Sequence, residues 1–194
     1  MSAKKFAHPT ALPEGFLYQP DFLSASEEVD LLRTIETLQF GAYDFRGYVA
    51  KRRVVAYGEG YDSGTRRMAV TDKVIPDFLS PIRDRAAVIA GMPADEVVQA
   101  LVTEYSLGTP IGWHRDSPQF ETIIGISLRS SCRLRLKPYQ GEGKIISVML
   151  EPRSIYVMRG PVRWYFQHSI PAVKDLRYSL TLRTLSKKHN SRAA

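Results

Sequence analysis

Cys132-Arg-Leu-Arg-Leu-Lys-Pro138 is the stretch that decides the fold. Cys132, Leu134 and Leu136 alternate with Arg133, Arg135 and Lys137, and successive side chains of a strand point to opposite faces. An apolar face and a cationic face at period two describe a half-buried strand, not a helix. The same texture continues on both sides. Strands are expected over 97–105, 121–128, 144–150, 154–158, 163–169 and 176–185, divided by Gly, Pro and Ser. Many short antiparallel strands at such spacing build a sandwich or jelly roll rather than a Rossmann sheet.

Upstream the period changes. Ser24-Ala-Ser-Glu27 is a capping box that opens a helix running to about Leu38, with Val29, Leu32 and Ile35 as its apolar stripe. A second helix is expected with Ser80 as N-cap and Pro81 first; it turns Ile82, Ala86 and Ile89 inward and stops at Gly91. Residues 40–75, rich in Tyr, Gly and Arg, read as strands and loops. No repeat or linker divides the chain, so one domain is expected over 1–194: a helical N-terminal part (1–95), a β core (96–186) and a basic tail (187–194). The class is mainly β with α (α+β), the helices buttressing one sheet face.

Composition excludes several classes. Apolar residues make up 44% and charged residues 24% of the 194, the balance of an ordinary globular chain. The opening MSAKKFAHPTALPEGF has no apolar run behind its lysines, so neither a signal peptide nor a membrane anchor is expected. The single cysteine, Cys132, cannot form an internal disulfide and suits a reducing compartment, so the expected location is cytoplasmic; nothing in the sequence demands an oligomer, so a monomer is expected. The net charge of +7 favours a polyanionic partner. Its clusters are Lys51-Arg52-Arg53, Arg66-Arg67, Arg129 with Arg133, Arg135 and Lys137, and Arg159 with Arg163. Any one of these alone reads as a solvated face.

Chemistry enters with His114-Arg-Asp116. On a strand, residues two apart share a face, so His114 and Asp116 point together while Trp113 and Arg115 point away. His168 is the third candidate ligand, because His8 and His189 fall in the tails. Two histidines and a carboxylate can hold one iron and leave open positions on it. Downstream, Arg177, Ser179, Thr181 and Arg183 share one face of a strand, and the two arginine backbones lie roughly 20 Å apart if it is extended. Guanidinium pairs bidentately with carboxylate, so the pair suits a short dicarboxylate; one of them could equally clamp Asp116.

These motifs come in a characteristic order from about Phe40 to Leu185. Arg53-Val-Val-Ala-Tyr57-Gly58 and Tyr61-Asp-Ser-Gly64 precede Thr103-Glu-Tyr105 and Ile111-Gly-Trp-His114-Arg-Asp116; Ile126-Ser-Leu128, Met158-Arg-Gly160, His168-Ser-Ile-Pro171 and Arg177 to Arg183 follow. The chain thereby resembles the AlkB family of iron(II)- and 2-oxoglutarate-dependent dioxygenases. The resemblance implies a double-stranded β-helix core of the jelly-roll type with an N-terminal substrate lid. It implies His114, Asp116 and His168 as catalytic iron ligands, and Arg177 on the distal carboxylate of 2-oxoglutarate. Arg183 would sit near the other end of the co-substrate and near Asp116; Tyr105, Thr103 and Ser179 complete that pocket. Fe(II), 2-oxoglutarate and O2 are the implied cofactors. The implied reaction consumes 2-oxoglutarate to give succinate and carbon dioxide, hydroxylates an N-alkyl group and releases formaldehyde.

Two departures from the family pattern stand out. Thr103 and Ser179 replace asparagines that normally help hold 2-oxoglutarate, and a hydroxyl reaches less far. Pro118 stands where base-repairing members commonly carry an acid, so the choice of base does not carry over. The leading substrate is an N-alkylated base in DNA or RNA, single-stranded or flipped out. Phe45, Tyr48, Arg52, Arg53, Tyr57 and Tyr61 would form a lid that stacks the base, and Trp113, Arg115 and Ser117 would border it. The alternative is a protein side chain.

Overall fold

In the computed structural model, residues 11–45, 48–62, 67–70 and 74–186 are described, with the backbone alone for 44, 45, 48, 60–62 and 67–70. The basic tail, His8, His189 and Arg66 lie outside the described residues, as do the side chains of Phe45, Tyr48 and Tyr61.

The chain begins with β1 (Phe16–Gln19) and α1 (Ala25–Ile35). The Glu27 N–H donates to Ser24 Oγ at 3.2 Å and the Ser24 N–H to Glu27 Oε2 at 2.8 Å, so the capping box is formed. It fixes the helical phase, and the stripe differs from the expected one. Leu31 and Ile35 are buried with Leu32 alongside, whereas Val29 is 47% exposed. Glu28 turns inward instead, because its carboxylate accepts the backbone N–H of Arg129 at 2.8 Å and faces Arg153.

Next come β2 (Gly41–Phe45), β3 (Tyr48–Asp62), β4 (Arg67–Val70), a 3-10 turn (Asp77–Leu79) and α2 (Ser80–Ala90). The 3-10 turn feeds directly into α2, so the cap falls on Leu79 and Ser80 is already helical rather than the N-cap. Gly91 ends the helix in the left-handed conformation, at φ 66°.

The β-rich remainder comprises β5 (Val97–Tyr105), β6 (Ile111–His114), β7 (Phe120–Leu128), β8 (Cys132–Pro138), β9 (Ile146–Leu150), β10 (Ile155–Met158), α3 (Gly160–Tyr165), β11 (Phe166–Ile170) and β12 (Arg177–Leu185). The strand expected over 163–169 is therefore a short helix followed by a strand. Pro161 sits in the first turn, where its fixed φ favours a helix. β1 was absent from the expected strands, and β6 was expected only as an unbounded strand around His114; at four residues each they show almost no periodicity.

The strands form two antiparallel sheets. The major sheet runs β1-β10-β7-β12-β5-β3-β2, with β4 paired only to β3, and the minor sheet runs β6-β11-β8-β9. Between them lies an apolar core of Leu134, Leu136, Val148 and Leu150 against Phe16, Phe120, Ile123 and Met158. A second core packs α1 and α2, through Leu31, Ile35, Ile82 and Ala86, on Val102, Leu180, Leu182 and Ile126 of the major sheet. Each buried Leu or Ile is worth about 1.5–3 kcal/mol. The result is a jelly-roll sandwich with helices on one outer face, in agreement with the expected class.

The segment expected as a lid contributes β2 and much of β3 to the edge of the major sheet. Beyond Gly58, β3 leaves β5 and pairs with β4 as a two-stranded ribbon. Gly58 has φ 76°, and a Cβ there would lie 2.1 Å from the Val98 carbonyl oxygen. Only glycine allows that close approach. No helix among the described residues is long and apolar enough to cross a membrane.

Candidate metal centre

β6 and β11 pair so that His114 and His168 are register partners. Both side chains share the face that looks into the sandwich, and their rings lie 4.2 Å apart. Asp116 follows just past the end of β6, so the turn places it rather than strand alternation. Ligand atoms of His114, Asp116 and His168 all lie within 4.8 Å of one another, a donor set that fits a divalent metal.

The protonation states fit as well. The Nδ1–H of His114 donates to the Gly112 carbonyl at 2.9 Å, since a carbonyl can only accept, so Nε2 is the ring atom available to a metal. Burial, helped by His114, pushes His168 down to about 3, against the opposing pull of Asp116. His168 is therefore neutral, and its 3.5 Å contact with Asp116 is not an ion pair. Burial disfavours an ionised Asp116, but Arg183 and the surrounding positive groups outweigh it and hold the carboxyl well below the usual range. Arg183 Nη2 donates to Asp116 Oδ1 at 2.9 Å, and its Nη1 to Gln99 Oε1 at 2.6 Å. The clamp that the sequence left open thus falls to Arg183.

Arg177 sits six residues earlier on the same face of β12 and is 1% exposed. Its Nε and Nη2 reach Ser127 Oγ at 3.3 and 3.2 Å, its guanidinium lies 4.8 Å from the Tyr105 ring centre, and its Nη1 has no partner. Burial alone would push its pKa down, yet Cys132, Tyr105 and Tyr156 hold it up, so it remains a cation. A buried cation with an unmet donor is costly unless an anion joins it. Around it, register pairs Arg177 with Tyr105 and Ser179 with Thr103, and the Tyr105 hydroxyl lies 3.4 Å from Ser179 Oγ. Thr103, Ser179 and Tyr105 are all buried.

Two residues here had not been expected. Arg163, 3% exposed, donates through Nη2 to the carbonyls of Ser117 and Phe120 at 2.6 and 2.7 Å, and so grips the turn that carries Asp116. Its sequence signal was submerged in a basic cluster. Tyr156 lies over Gly125, where a Cβ would meet its ring at 2.2 Å. A glycine inside a strand, in Ile124-Gly-Ile126, was the available clue to that close approach.

The expected substrate residues scatter. Arg53 and Tyr57 are register partners of Glu104 and Ala100, hence on the helix-backed face of the major sheet, opposite the metal ligands. Arg53 pairs there with Glu104 at 2.8 Å, and Tyr57 packs on the helix-side core. Strand parity, invisible without the register, turns both away from the metal ligands. Trp113 lies on the outside of the minor sheet under Arg135 and Lys137. Arg115 is exposed over the Tyr139 ring, and the Ser117 hydroxyl is engaged by Gln119.

Comparison with known proteins adds the following. Residues 15–191 match the family described as the 2OG-Fe(II) oxygenase superfamily. The chain is 29% identical over 183 residues to the Arabidopsis thaliana "Alkylated DNA repair protein ALKBH8 homolog", covering 81% of this chain and 51% of that protein. It thus spans about half the length of that relative. To the Bos taurus "Alpha-ketoglutarate-dependent dioxygenase alkB homolog 7, mitochondrial" it is 29% identical over 164 residues, covering 82% and 68%. The solved structure of OsALKBH1 superposes with a TM-score of 0.71 at 18% identity, over 90% of this chain and 98% of that one, which shows the shared fold.

Proposed function

The chain belongs to the 2OG-Fe(II) oxygenase superfamily, alongside AlkB homologues, and from that premise we propose that it is an oxidative demethylase of N-alkylated bases in nucleic acid. The chemistry is that of an Fe(II)- and 2-oxoglutarate-dependent dioxygenase. The observation that carries the reading is the pairing of a three-ligand cluster with a buried, incompletely partnered arginine on the same inner surface.

His114, Asp116 and His168 would hold the iron. When bound, iron and 2-oxoglutarate supply oxidising power from O2, with succinate and carbon dioxide as by-products. The protein's own work is positional. Arg177 would bind the distal carboxylate of the co-substrate with its free Nη1, with Tyr105, Thr103 and Ser179 lining the pocket beside it. Arg183 orients Asp116 and keeps it ionised, while Arg163 fixes the turn beneath it. Apolar packing by Ile123, Phe120 and Leu136 excludes water from this side. The ribbon of β3 and β4 is the proposed lid, and the base is the proposed substrate, supported by the net charge of +7 and by the repair-protein relative.

The direct test is formaldehyde release from methylated single-stranded DNA and RNA by iron-loaded protein. Release that disappears in His114→Ala supports the reading. Succinate production with no release from any methylated strand would overturn it in favour of a protein side chain.

A further inference from the structure

Arg33, Arg53, Arg83, Arg85, Arg129, Arg153 and Arg183 each pair with a carboxylate. Among the described residues, Lys51, Arg52, Lys144, Arg159, Arg163, Lys174 and Arg177 pair with none, and neither do Arg115, Arg133, Arg135 and Lys137, the four that matter here. All four lie on or beside the outer face of the minor sheet. Register gives that face in full: Arg133, Arg135 and Lys137 from β8, Gln167 and Ser169 from β11, Ser147 and Met149 from β9, with Trp113 from β6. No acid occurs on it.

Rings hold three of these charges, Arg115, Arg135 and Lys137, in place. The Arg135 guanidinium and Lys137 ammonium lie 5.0 and 4.5 Å from the Trp113 ring centre, and Arg135 Nε donates to Ser169 Oγ at 3.0 Å. Arg115 lies 3.7 Å over Tyr139, at the end of β8 next to the Asp116 turn. A cation on a ring keeps its charge and most of its donors, and loses side-chain freedom before any anion arrives. The β8 cations recur every second residue across about 13 Å, a row that leads toward the turn carrying Asp116.

We propose that the outer face of the minor sheet, with Arg133, Arg135 and Lys137 along β8 and Arg115 at its end, is a docking surface for the phosphate backbone of single-stranded nucleic acid. The proposal rests on the nucleic-acid reading of function and adds where the strand lies. An acidic protein fits less well, because Met149 is the one aliphatic residue among the strand-paired positions of the face and protein interfaces need an apolar centre.

The test is fluorescence anisotropy with an unmodified, labelled 16-nucleotide single strand across a salt series, using the full chain. Arg133→Glu with Lys137→Glu should raise Kd at least tenfold and flatten the log–log salt slope by about 1.4, two contacts at roughly 0.7 each. Arg133→Gln with Lys137→Gln, matched to the wild type in thermal midpoint, should fall between, and Arg33→Ser should change nothing. A double variant that keeps the wild-type Kd and slope overturns the proposal. So does polyglutamate competing as well as the oligonucleotide at equal charge. The two readings fail separately. Face-dependent binding without formaldehyde release defeats the demethylase and leaves the docking face; release from methylated strands untouched by the double variant does the reverse.

Discussion

The two faces of β12 differ sharply in what they bury. On the helix-backed side, Leu180 and Leu182 are fully buried in an apolar core, and Tyr178 donates to Glu104. On the other side, Arg177, Ser179 and Arg183 bring a buried cation, a hydroxyl and an ion pair into the sandwich. One face closes its hydrogen bonds within the protein; the other leaves Arg177 Nη1 open. Residues adjacent in sequence therefore serve stability and chemistry separately, and substitutions one or three positions apart should act in different currencies.

The largest effect is expected at the ligands. His168→Ala should lower succinate formation by roughly 10³-fold or more, as loss of a group that acts as part of a unit does; turnover near wild type would break the contrast at once. Arg177→Met comes next and carries opposite signs in two assays. It should weaken 2-oxoglutarate binding by about 2–5 kcal/mol, measured by calorimetry, yet stabilise the ligand-free protein in urea by roughly 1–4 kcal/mol, because a buried unpaired charge is gone. Leu180→Ala should cost about 2–5 kcal/mol in the same urea titration and leave turnover per folded molecule unchanged. A drop in specific activity there would show that the faces are coupled.

Much of this was legible in the sequence. The clean alternation of 132–138 fixed β8, and 97–105 marks β5 to the residue. The three residues put forward as ligands do lie together, because their motifs come in a definite order along the chain. What was illegible was parity against a partner strand. Arg53 and Tyr57 alternate correctly within β3, but only the register with β5 shows that their face is the helix-backed one. A one-residue shift would have reversed the answer. The short helix α3 was hidden for another reason: Gly160 to Tyr165 is too short to show a helical period, and its Val162, Trp164 and Tyr165 are residues that favour strands.

Smaller effects sharpen the picture. Ser179→Asn should tighten 2-oxoglutarate binding about fivefold, the worth of one added hydrogen bond near 1 kcal/mol; unchanged affinity in both this variant and Thr103→Asn would remove the idea that their short hydroxyls weaken the pocket. The smallest is alkaline. Burial, the main cause, raises the Cys132 thiol above its ordinary value of 9.0. Because the folded pKa is the higher one, this contribution is fully present below pH 9 and fades as pH climbs through the raised folded value. Cys132→Val should flatten that part of the stability profile measured by urea unfolding.

One chain of contacts has a reach longer than its parts. Asp116 is held by Arg183, Arg183 by Gln99, and the Gln99 amide donates to the backbone carbonyl of Glu59 at 2.6 Å, just where β3 leaves the sheet for its ribbon. The orientation of a carboxylate in the metal centre is thus referred, through two side chains, to a peptide group at the foot of that ribbon. Whatever tilts the ribbon changes the aim of the carboxylate, even when it touches nothing in the pocket.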